Sequence, residues 1–321
     1  MKLAVKIDVD GLMPALMGAP CLADLLETQA AGGSFLFSVG PDRSGAHISR
    51  LFRQGMPRRL WRTRAIRRYS AKAMLYGTLL PAPDIGKRAA DVMRAVRDSE
   101  FETGVRGFDY VEWCESAMRR DPDWIGRQMN LACQRHQDIL GERPQVHGAP
   151  GWQLNRSACR LTQRLEFAYS SDTRGTHPFI PVYQAEVISC PQLPTTLPTI
   201  DELIAQHAMS KENAVAHLLE VTRELPAWGH VYSANAAIEG LELLPQFEQL
   251  LRGWRQQGYE LVSLRDYLYA FETRELPYHE VVTGQVPGRP GLVALQGKEF
   301  PGPVPDNTSS EHHDINTGDI K

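Results

Sequence analysis

Segments typical of β-strands alternate with helical patterns along most of this chain, and this alternation limits the folds open to it. The strand-like segments are short, apolar and rich in β-branched residues. Seven stand out, at 3–10, 34–40, 101–106, 145–149, 166–170, 229–234 and 260–263. Helical patterns lie between them, at 15–30, 123–141, 154–164, 210–224 and 241–257. The alternation predicts an α/β protein with a parallel sheet. Seven strands could close into a barrel, with functional groups at the C-terminal ends of the strands.

Composition excludes several other classes of protein. A chain of 321 residues with a formal net charge of −3 suits one large α/β domain and argues against a globally basic nucleic-acid binder. It contains no run of 18 apolar residues, and Asp8 and Asp10 fall where a signal peptide needs its apolar core. The five cysteines are scattered, with no C-x-x-C, which favours reduced thiols. We therefore expect a soluble, cytoplasmic protein.

Two segments depart from this pattern. Residues 50–72 contain nine Lys or Arg side chains and no acid. This basic segment is either a solvated helix face or a surface that docks on anionic lipid, where each basic side chain is worth roughly 1 kcal/mol. The candidate membrane residues are Arg58, Arg59, Trp61, Arg67 and Arg68. Residues 301–321 are polar and rich in Pro and Gly, so we predict a disordered tail after a barrel that spans 1–300.

The first strand ends in two carboxylates. Asp8 and Asp10 are two residues apart, so they share one face of the strand at a spacing of about 6–7 Å. One carboxylate could hold a divalent metal while the other activates a water molecule. A turn pair leading into Gly11 explains the same residues, and from this motif alone both interpretations stay open.

A series of motifs resembles the polysaccharide deacetylase (NodB-homology) family in order and spacing. They include Lys6-Ile7-Asp8-Val9-Asp10, Phe37-Ser38-Val39-Gly40, Leu75-Tyr76-Gly77, Gly151-Trp152, Ser171-Asp172, Leu197-Pro198-Thr199, Val231-Tyr232 and Glu239-Gly240. The resemblance runs across roughly 2–300 and is strongest to the members that deformylate an amino sugar linked to undecaprenyl phosphate. It implies a distorted (β/α)7 barrel that hydrolyses an N-acyl amide with a metal-bound water, in lipid A modification.

The chain departs from the family at the residues that carry this chemistry. The resemblance implies a general-base position at Asp8 and a metal-ligand position at Asp10. However, Arg106 and Tyr110 stand where the family has two metal-binding histidines, and Asn235 replaces a catalytic histidine. A guanidinium offers no lone pair and repels a cation, and an amide cannot titrate. Asp10 is then the sole retained ligand position, whereas a catalytic zinc normally has three protein ligands.

Two arrangements of the altered site remain open. Arg106 could pair with Asp8 or Asp10 and take the place of the metal, which is the preferred hypothesis; no cofactor is then expected. Alternatively, Asp10, His147 and His177 could form a rebuilt site for zinc or another divalent metal. The resemblance further implies substrate-binding roles that we assign to Asp109, Trp152, Asp172 and Arg174.

Three functions follow as hypotheses. The first is a deformylase-like protein, impaired in metal-dependent hydrolysis, that binds an undecaprenyl phosphate-sugar or a partner protein. The second is an active amide hydrolase of such a lipid-linked amino sugar with a rearranged site. The third is a membrane-associated scaffold. All three imply a lipid-linked sugar phosphate or an anionic membrane surface as the partner and no nucleic acid, with a cytoplasmic location that could be peripheral on the inner membrane.

Overall fold

The computed structural model describes residues 1–46, 73–207 and 209–301. Its strands are β1 (Lys2–Val9), β2 (Ser34–Phe37), β3 (Glu102–Val105), β4 (Val146–His147), β5 (Tyr169–Ser170), β6 (Ile180–Tyr183), β7 (Glu186–Val187), β8 (His230–Asn235), β9 (Glu260–Val262), β10 (Tyr278–Gly284) and β11 (Val293–Glu299). Its α-helices are α1 (Ala19–Thr28), α2 (Ile85–Arg88), α3 (Ala90–Asp98), α4 (Tyr110–Ser116), α5 (Pro122–Leu140), α6 (Arg156–Arg164), α7 (Ile200–His207), α8 (Lys211–Val221), α9 (Leu244–Gln256) and α10 (Leu264–Leu268).

Seven parallel strands form the main sheet, and they are the seven that the sequence predicts. The strand order is β5-β4-β3-β2-β1-β8, and β9 pairs with the start of β1. The central strand β1 is apolar and almost fully buried, as expected for a parallel strand covered on both faces. Its register places Asp8 opposite Leu36 of β2 and Asn235 of β8. Two predicted site residues, Asp8 and Asn235, are therefore neighbours at the same end of the sheet.

The gap between the two outer strands, β5 and β8, is bridged by an irregular segment, 191–196. The amide of Leu193 donates to the carbonyl of Ser170, at 2.7 Å, and the amide of Thr196 donates to the carbonyl of Val231, at 3.0 Å. These bonds satisfy edge groups that a curled, open sheet would otherwise expose. The sheet is thus a distorted barrel, and the predicted α/β fold of (β/α)7 type is confirmed.

Local sequence signals explain the limits of the helices around the barrel. Helix α5 begins with Asp121, whose carboxylate accepts from the amide of Trp124, and has Pro122 in its first turn. It ends at Gly141, which adopts the left-handed conformation at φ 79°. Side chains of the same kind cap two further helices, Asn155 at α6 and Ser210 at α8. These caps fix the loops that carry the chain back to the next strand.

A second, four-stranded sheet lies beside the barrel and is not predicted by the sequence pattern. Its order is β11-β10-β6-β7, with β6 and β7 antiparallel and β10 and β11 forming a long hairpin. The amide of Arg174 donates to the carbonyl of Ala294, and the amide of Gln296 donates to the carbonyl of Arg174. These two bonds join the hairpin to the loop that follows β5. The hairpin strands β10 and β11 are mostly half-exposed or exposed, so they lack the continuous apolar runs that mark the barrel strands.

The basic segment at 50–72 lies outside the described residues, and so does the predicted tail beyond Pro301. The membrane residues Arg58, Arg59, Trp61, Arg67 and Arg68 therefore stay a prediction. Within the three described ranges, no helix combines the length and the apolar character needed to cross a membrane.

Candidate functional site

The predicted site residues converge at the C-terminal ends of the barrel strands. Asp8 and Asp10 lie at the end of β1, Arg106 directly follows β3, and Asn235 ends β8. The ends of parallel strands meet at one edge of a sheet, so residues far apart in sequence share this edge. They line a cavity of about 270 Å³. Its other lining residues are Tyr110, Val111, Cys114, Gly151, Trp152, Thr199, Asp201, Ser233, Ala237, Ile238 and Arg289.

Arg106 occupies the centre of this group. Its guanidinium is ion-paired through Nη1 with Asp8 Oδ1 and through Nε with Asp10 Oδ1, the latter at 2.9 Å. Arg106 is only 3% exposed and Asp8 only 5% exposed. A buried charge is tolerated when it is paired and hydrogen-bonded, and here one cation is shared by two carboxylates. The ion pair that the sequence predicts for Arg106 is therefore present.

Two serine hydroxyls donate further hydrogen bonds, one to the second oxygen of Asp8 and one to the Asp10 oxygen that Arg106 also contacts. Ser233 Oγ donates to Asp8 Oδ2 at 2.8 Å, and Ser38 Oγ donates to Asp10 Oδ1 at 2.5 Å. Lys6 is fully buried behind them; its Nζ lies 3.6 Å from Asp8 Oδ1 and donates to the carbonyl of Ser171 at 3.1 Å. The cluster of Lys6, Asp8, Asp10 and Arg106 is thus held rigidly and is close to neutral overall.

The pKa values of the two aspartates move in opposite directions. Burial raises the pKa of Asp8, but the charges of Arg106 and Lys6 and the Ser233 hydroxyl outweigh it, so the net pKa lies below the usual value. Burial also raises the pKa of Asp10, and repulsion from Asp8 adds to this effect. The charge of Arg106 offsets it only in part, so the net pKa of Asp10 lies above the usual value. Burial lowers the pKa of Lys6 to about 8, although Asp8 counteracts it. Asp8 is therefore the more firmly ionised of the pair.

The residues at this site do not fit a catalytic divalent metal. Asp10 contributes a carboxylate, but the permanently charged guanidinium of Arg106 is bonded to it and would repel a cation. In the described part of the chain, no group of three or more His, Cys, Asp or Glu residues could hold a metal ion. No reaction step through a metal follows from this donor set.

The two histidines considered for a rebuilt site do not join Asp10. His147 is fully buried, and its Nδ1 is bonded to Asp172 Oδ1 at 2.8 Å. His177 contacts His279 of β10, with 3.2 Å between their Nε2 atoms. The proposed site of Asp10, His147 and His177 is therefore not assembled among the described residues.

Tyr110 and Asn235, which the family resemblance places where histidines are expected, make contacts within the protein. The hydroxyl of Tyr110 is hydrogen-bonded to Ser44 Oγ at 2.6 Å. The side-chain oxygen of Asn235 accepts from the amide of Ala237 at 2.8 Å. The backbone amide of Asn235 donates to Glu239, a buried carboxylate that also accepts from the Tyr232 hydroxyl. Both residues line the cavity.

Of the four residues assigned to substrate, only Trp152 lines the cavity. Asp109 caps the start of α4, where its carboxylate accepts from the amide of Glu112 and lies 3.1 Å from Arg43. Asp172 is fully buried and accepts from His147 and from the amide of Ala149. The contact of Asp109 with Arg43 and the contacts of Asp172 with His147 and Ala149 are therefore structural.

Arg174 does not line the cavity either. Its guanidinium pairs with Glu202 at 2.7 Å and lies 4.9 Å from the centre of the Trp152 ring. The sequence analysis missed Arg289, which lines the cavity from the loop between β10 and β11. The Arg289 guanidinium lies 4.2 Å from the centre of the same ring, and its Nε donates to Glu202 at 2.9 Å. The run Pro287-Gly288-Arg289-Pro290-Gly291 does indicate a tight turn. Nothing in the sequence tells that this turn reaches the barrel mouth.

Comparison with known proteins gives consistent results. No family model matches the chain. A probable 4-deoxy-4-formamido-L-arabinose-phosphoundecaprenol deformylase of Shewanella sediminis is 29% identical over 295 residues, which cover 92% of this chain and 94% of the relative. A protein of the same description from Wigglesworthia glossinidia brevipalpis is 27% identical over 289 residues, covering 89% and 99%. A crystal structure described as a polysaccharide deacetylase from Mycobacterium smegmatis superposes with a TM-score of 0.59 at 13% identity, covering 89% of this chain and 95% of that one.

Proposed function

We propose that this chain, which has the fold of a polysaccharide deacetylase and is similar to the lipid-linked amino-sugar deformylases over most of its length, binds a lipid-linked amino-sugar phosphate without hydrolysing it through a metal. The observation that carries this proposal is the position of Arg106. Its guanidinium pairs with Asp8 and Asp10, the residues that the family resemblance places in the base and metal-ligand positions. A cation held there by two carboxylates competes directly with a divalent metal.

The cavity retains groups suited to a charged sugar. Asp10, whose side chain is 14% exposed, and Asn235 offer oxygen acceptors to hydroxyl or amine groups of the ligand. Arg289 lines the cavity from the loop between β10 and β11, and its guanidinium, bonded through Nε to Glu202, is the cation that we assign to a phosphate. Trp152 also lines the cavity, and Arg289 lies 4.2 Å from the centre of its ring. In this proposal the residues orient the ligand and perform no bond cleavage.

Metal content is the first test of this proposal. The purified, untagged protein is dialysed against zinc and its metal content is measured by mass spectrometry, beside an Asp10→Ala control. We expect metal well below one equivalent in both proteins, because the Arg106 guanidinium is already ion-paired with both carboxylates and repels a metal cation. About one equivalent in the wild type that is lost in the control would establish a rebuilt metal site and favour the active amide hydrolase.

Restoring the family's histidines provides a positive control. The triple variant Arg106→His, Tyr110→His, Asn235→His places imidazoles at the positions where the resemblance puts them. It should bind zinc where the wild type does not. If the variant is folded by circular dichroism but binds no zinc, Arg106 is not what excludes the metal.

Ligand binding separates the proposal from a pure scaffold. The probe is 4-amino-4-deoxy-arabinose linked through phosphate to a short prenyl chain, titrated while the fluorescence of the tryptophans is followed. Saturable binding that weakens by about tenfold in Arg289→Ala supports the proposal, since a lost charge-assisted hydrogen bond is worth roughly 1.5–3 kcal/mol. Arg223→Ala, at an exposed arginine just beyond the end of α8, is the matched control. The absence of saturable binding would favour the membrane-associated scaffold.

We further propose that the basic segment at 50–72 docks on an anionic membrane, which would place a cytoplasmic protein peripherally at the inner membrane beside a lipid-linked ligand. The described chain that follows this segment exposes two leucines, Leu75 at 37% and Leu79 at 81%. Co-sedimentation with vesicles containing anionic lipid should fall steeply with salt and with charge reversal at Arg58, Arg59, Arg67 and Arg68. Binding that withstands both changes contradicts the docking proposal.

A further inference from the structure

A pair of histidines lies where the second sheet meets the barrel. His177 is in the loop between β5 and β6, and His279 is the second residue of β10. Their Nε2 atoms are 3.2 Å apart, although 102 positions separate the two residues in the chain. Both residues are half-buried and the neighbouring Thr176 is exposed, so the pair lies near the surface. Neither histidine lines the cavity that contains Arg106.

A backbone group sets the tautomer of His279. The Nδ1 atom of His279 lies 3.0 Å from the carbonyl oxygen of Gly297. A carbonyl oxygen can only accept a hydrogen bond, so Nδ1 carries the hydrogen. The Nε2 atom of the neutral ring is then a bare lone pair, and this is the atom that lies beside His177.

The tautomer of His177 follows from its contact with Gln296. The backbone amide of Thr176 donates to Gln296 Oε1 at 2.7 Å, which fixes the orientation of this side-chain amide. Gln296 Nε2 therefore lies on the side of His177 Nε2, at 3.1 Å, and can only donate to it. His177 Nε2 is thus an acceptor as well, and its Nδ1 donates to the Thr176 hydroxyl at 2.8 Å.

Two acceptor nitrogens consequently face each other. Two lone pairs at this distance repel one another unless a cation lies between them. Two imidazole nitrogens that bind one zinc ion at about 2.0–2.1 Å each, at the tetrahedral angle, are about 3.3–3.4 Å apart. The separation of 3.2 Å between the two Nε2 atoms is close to this value. The pair therefore has the spacing of two ligands of one metal ion.

Ring packing and a nearby charge support the same arrangement. The ring of His177 stacks on Trp228, with 5.5 Å between the ring centres, and the ring of His279 packs edge-on against Phe179 at 5.7 Å. These contacts restrict the rotation of both imidazoles. Glu299 is paired with His279 in the strand register, and residues paired in this way lie on the same face of a sheet. Its carboxylate places a negative charge near the pair, which favours a bound cation.

We propose that His177 and His279 bind a zinc ion through their Nε2 atoms. Imidazole nitrogens suit zinc, whereas magnesium prefers oxygen ligands. Only two protein ligands take part, since the described ranges contain no group of three His, Cys, Asp or Glu residues that could hold a metal, and water completes the coordination. The bound ion clamps β10, and with it the hairpin, to the loop that follows β5.

This site is weaker than a typical catalytic or structural zinc site. Such sites have three or four protein ligands. The metal also has to displace the Gln296 amide from His177 Nε2. We therefore expect low occupancy in dialysed protein and saturation only on titration with excess zinc.

The test is a titration of the full-length, ¹⁵N-histidine-labelled protein with zinc sulfate at pH 7, followed by NMR of the imidazole nitrogens. We expect the Nε2 resonances of His177 and His279 to shift together and to saturate, with smaller shifts of the Nδ1 resonances. Magnesium sulfate should shift neither. The readout is specific to each histidine because His312-His313, near the C-terminus, offers a separate pair of imidazoles.

Matched variants separate this site from others. His279→Phe keeps an aromatic ring beside Phe179 and should weaken zinc binding at His177 by at least about tenfold, because even the loss of a residue that only orients a ligand costs roughly 10–100-fold. His217→Ala, at an exposed histidine of α8, should leave the affinity unchanged. Zinc should raise the Tm of the wild type more than that of His279→Phe. Asp10→Ala should bind zinc like the wild type, which keeps this result separate from that of the barrel-mouth cavity.

Either of two results would overturn the proposal. One is a His177 Nε2 resonance that stays unchanged at millimolar zinc, which would mean that a shared proton or water satisfies the pair. This result needs no variant, so it holds even if His279→Phe does not fold. The other is equal zinc affinity at His177 in the wild type and in folded His279→Phe, which would reduce the effect to a single imidazole at the surface.

Discussion

Replacing Arg106 with Met removes the charge that two carboxylates share while keeping a side chain of similar length. Removal of one partner from a buried ion pair typically costs about 3–5 kcal/mol of unfolding free energy. Asp8 keeps Lys6 at 3.6 Å and the Ser233 hydroxyl, and Asp10 keeps Ser38. Because these contacts remain, we expect a loss near the lower limit, about 3 kcal/mol at pH 8.

The loss should depend on pH in one direction. In the wild type, Arg106 and Lys6 keep the pKa of Asp8 below its usual value, so this carboxylate stabilises the fold at neutral pH and loses that contribution in acid. Without Arg106, burial raises the pKa values of both aspartates, and the folded variant can take up a proton as the pH falls. The destabilisation by Arg106→Met should therefore shrink between pH 8 and pH 5.

Urea unfolding at these two pH values measures the effect. Arg156→Met is the matched control, because Arg156 forms an exposed ion pair with Glu186 and should change stability by less than about 1 kcal/mol. If Arg106→Met does not fold, Arg106→Lys, which keeps the charge, should be less destabilised than Arg106→Met and more than Arg156→Met. The reasoning is refuted by a loss below about 1 kcal/mol at pH 8, or by a loss that is equal at pH 8 and pH 5.

Three further outcomes follow from single contacts. Burial and the nearby Asp201 raise the pKa of Glu239 from 4.5 to about 7. The protonated Glu239 side chain therefore contributes fully to stability below pH 4.5, and this contribution is lost as the pH rises through 7. The shift corresponds to about 3 kcal/mol. Glu239→Gln should therefore stabilise the protein against urea at pH 8 and have little effect at pH 4.5, and equal effects at both would contradict the assignment. A Cβ on Gly18 would lie 2.1 Å from the carbonyl oxygen of Ala236, so Gly18→Ala should lower the unfolding free energy by at least about 1–3 kcal/mol. Gly126, inside α5, has nothing within 4 Å, so Gly126→Ala should instead add about 0.5–1 kcal/mol, and a loss there would show that the helix is constrained in another way.

The barrel strands were predictable because each carries its signal locally. An apolar, β-branched run such as 3–9 is buried on both faces, and it reads as a strand without knowledge of its neighbours. The same holds for the long helix Pro122–Leu140, whose cap residues are adjacent to it in the sequence. The hairpin of β10 and β11 lacked such a signal because its residues are mostly half-exposed, and its attachment to Arg174 depends on backbone hydrogen bonds across 120 residues of chain.

At the candidate site, the sequence identified the unusual residues and the structure decided how they are used. The spacing of Asp8 and Asp10, and Arg106 in place of a histidine, pointed to an ion pair that the strand ends do bring together. The roles assigned to Asp172 and Arg174 depended on which way their side chains turn. Asp172 is bonded to His147 and Arg174 to Glu202, both inside the protein.

The sequence by itself determined the α/β class, the positions of the seven barrel strands along the chain and the chemical character of the strand ends, because these depend on residues close together in the chain. Only the tertiary structure decided that Arg106 bridges both aspartates and that Arg289 reaches the cavity from a distant hairpin. Each of these depends on the packing of segments more than 90 residues apart or on the direction of one buried side chain. A one-dimensional pattern carries no information about such directions.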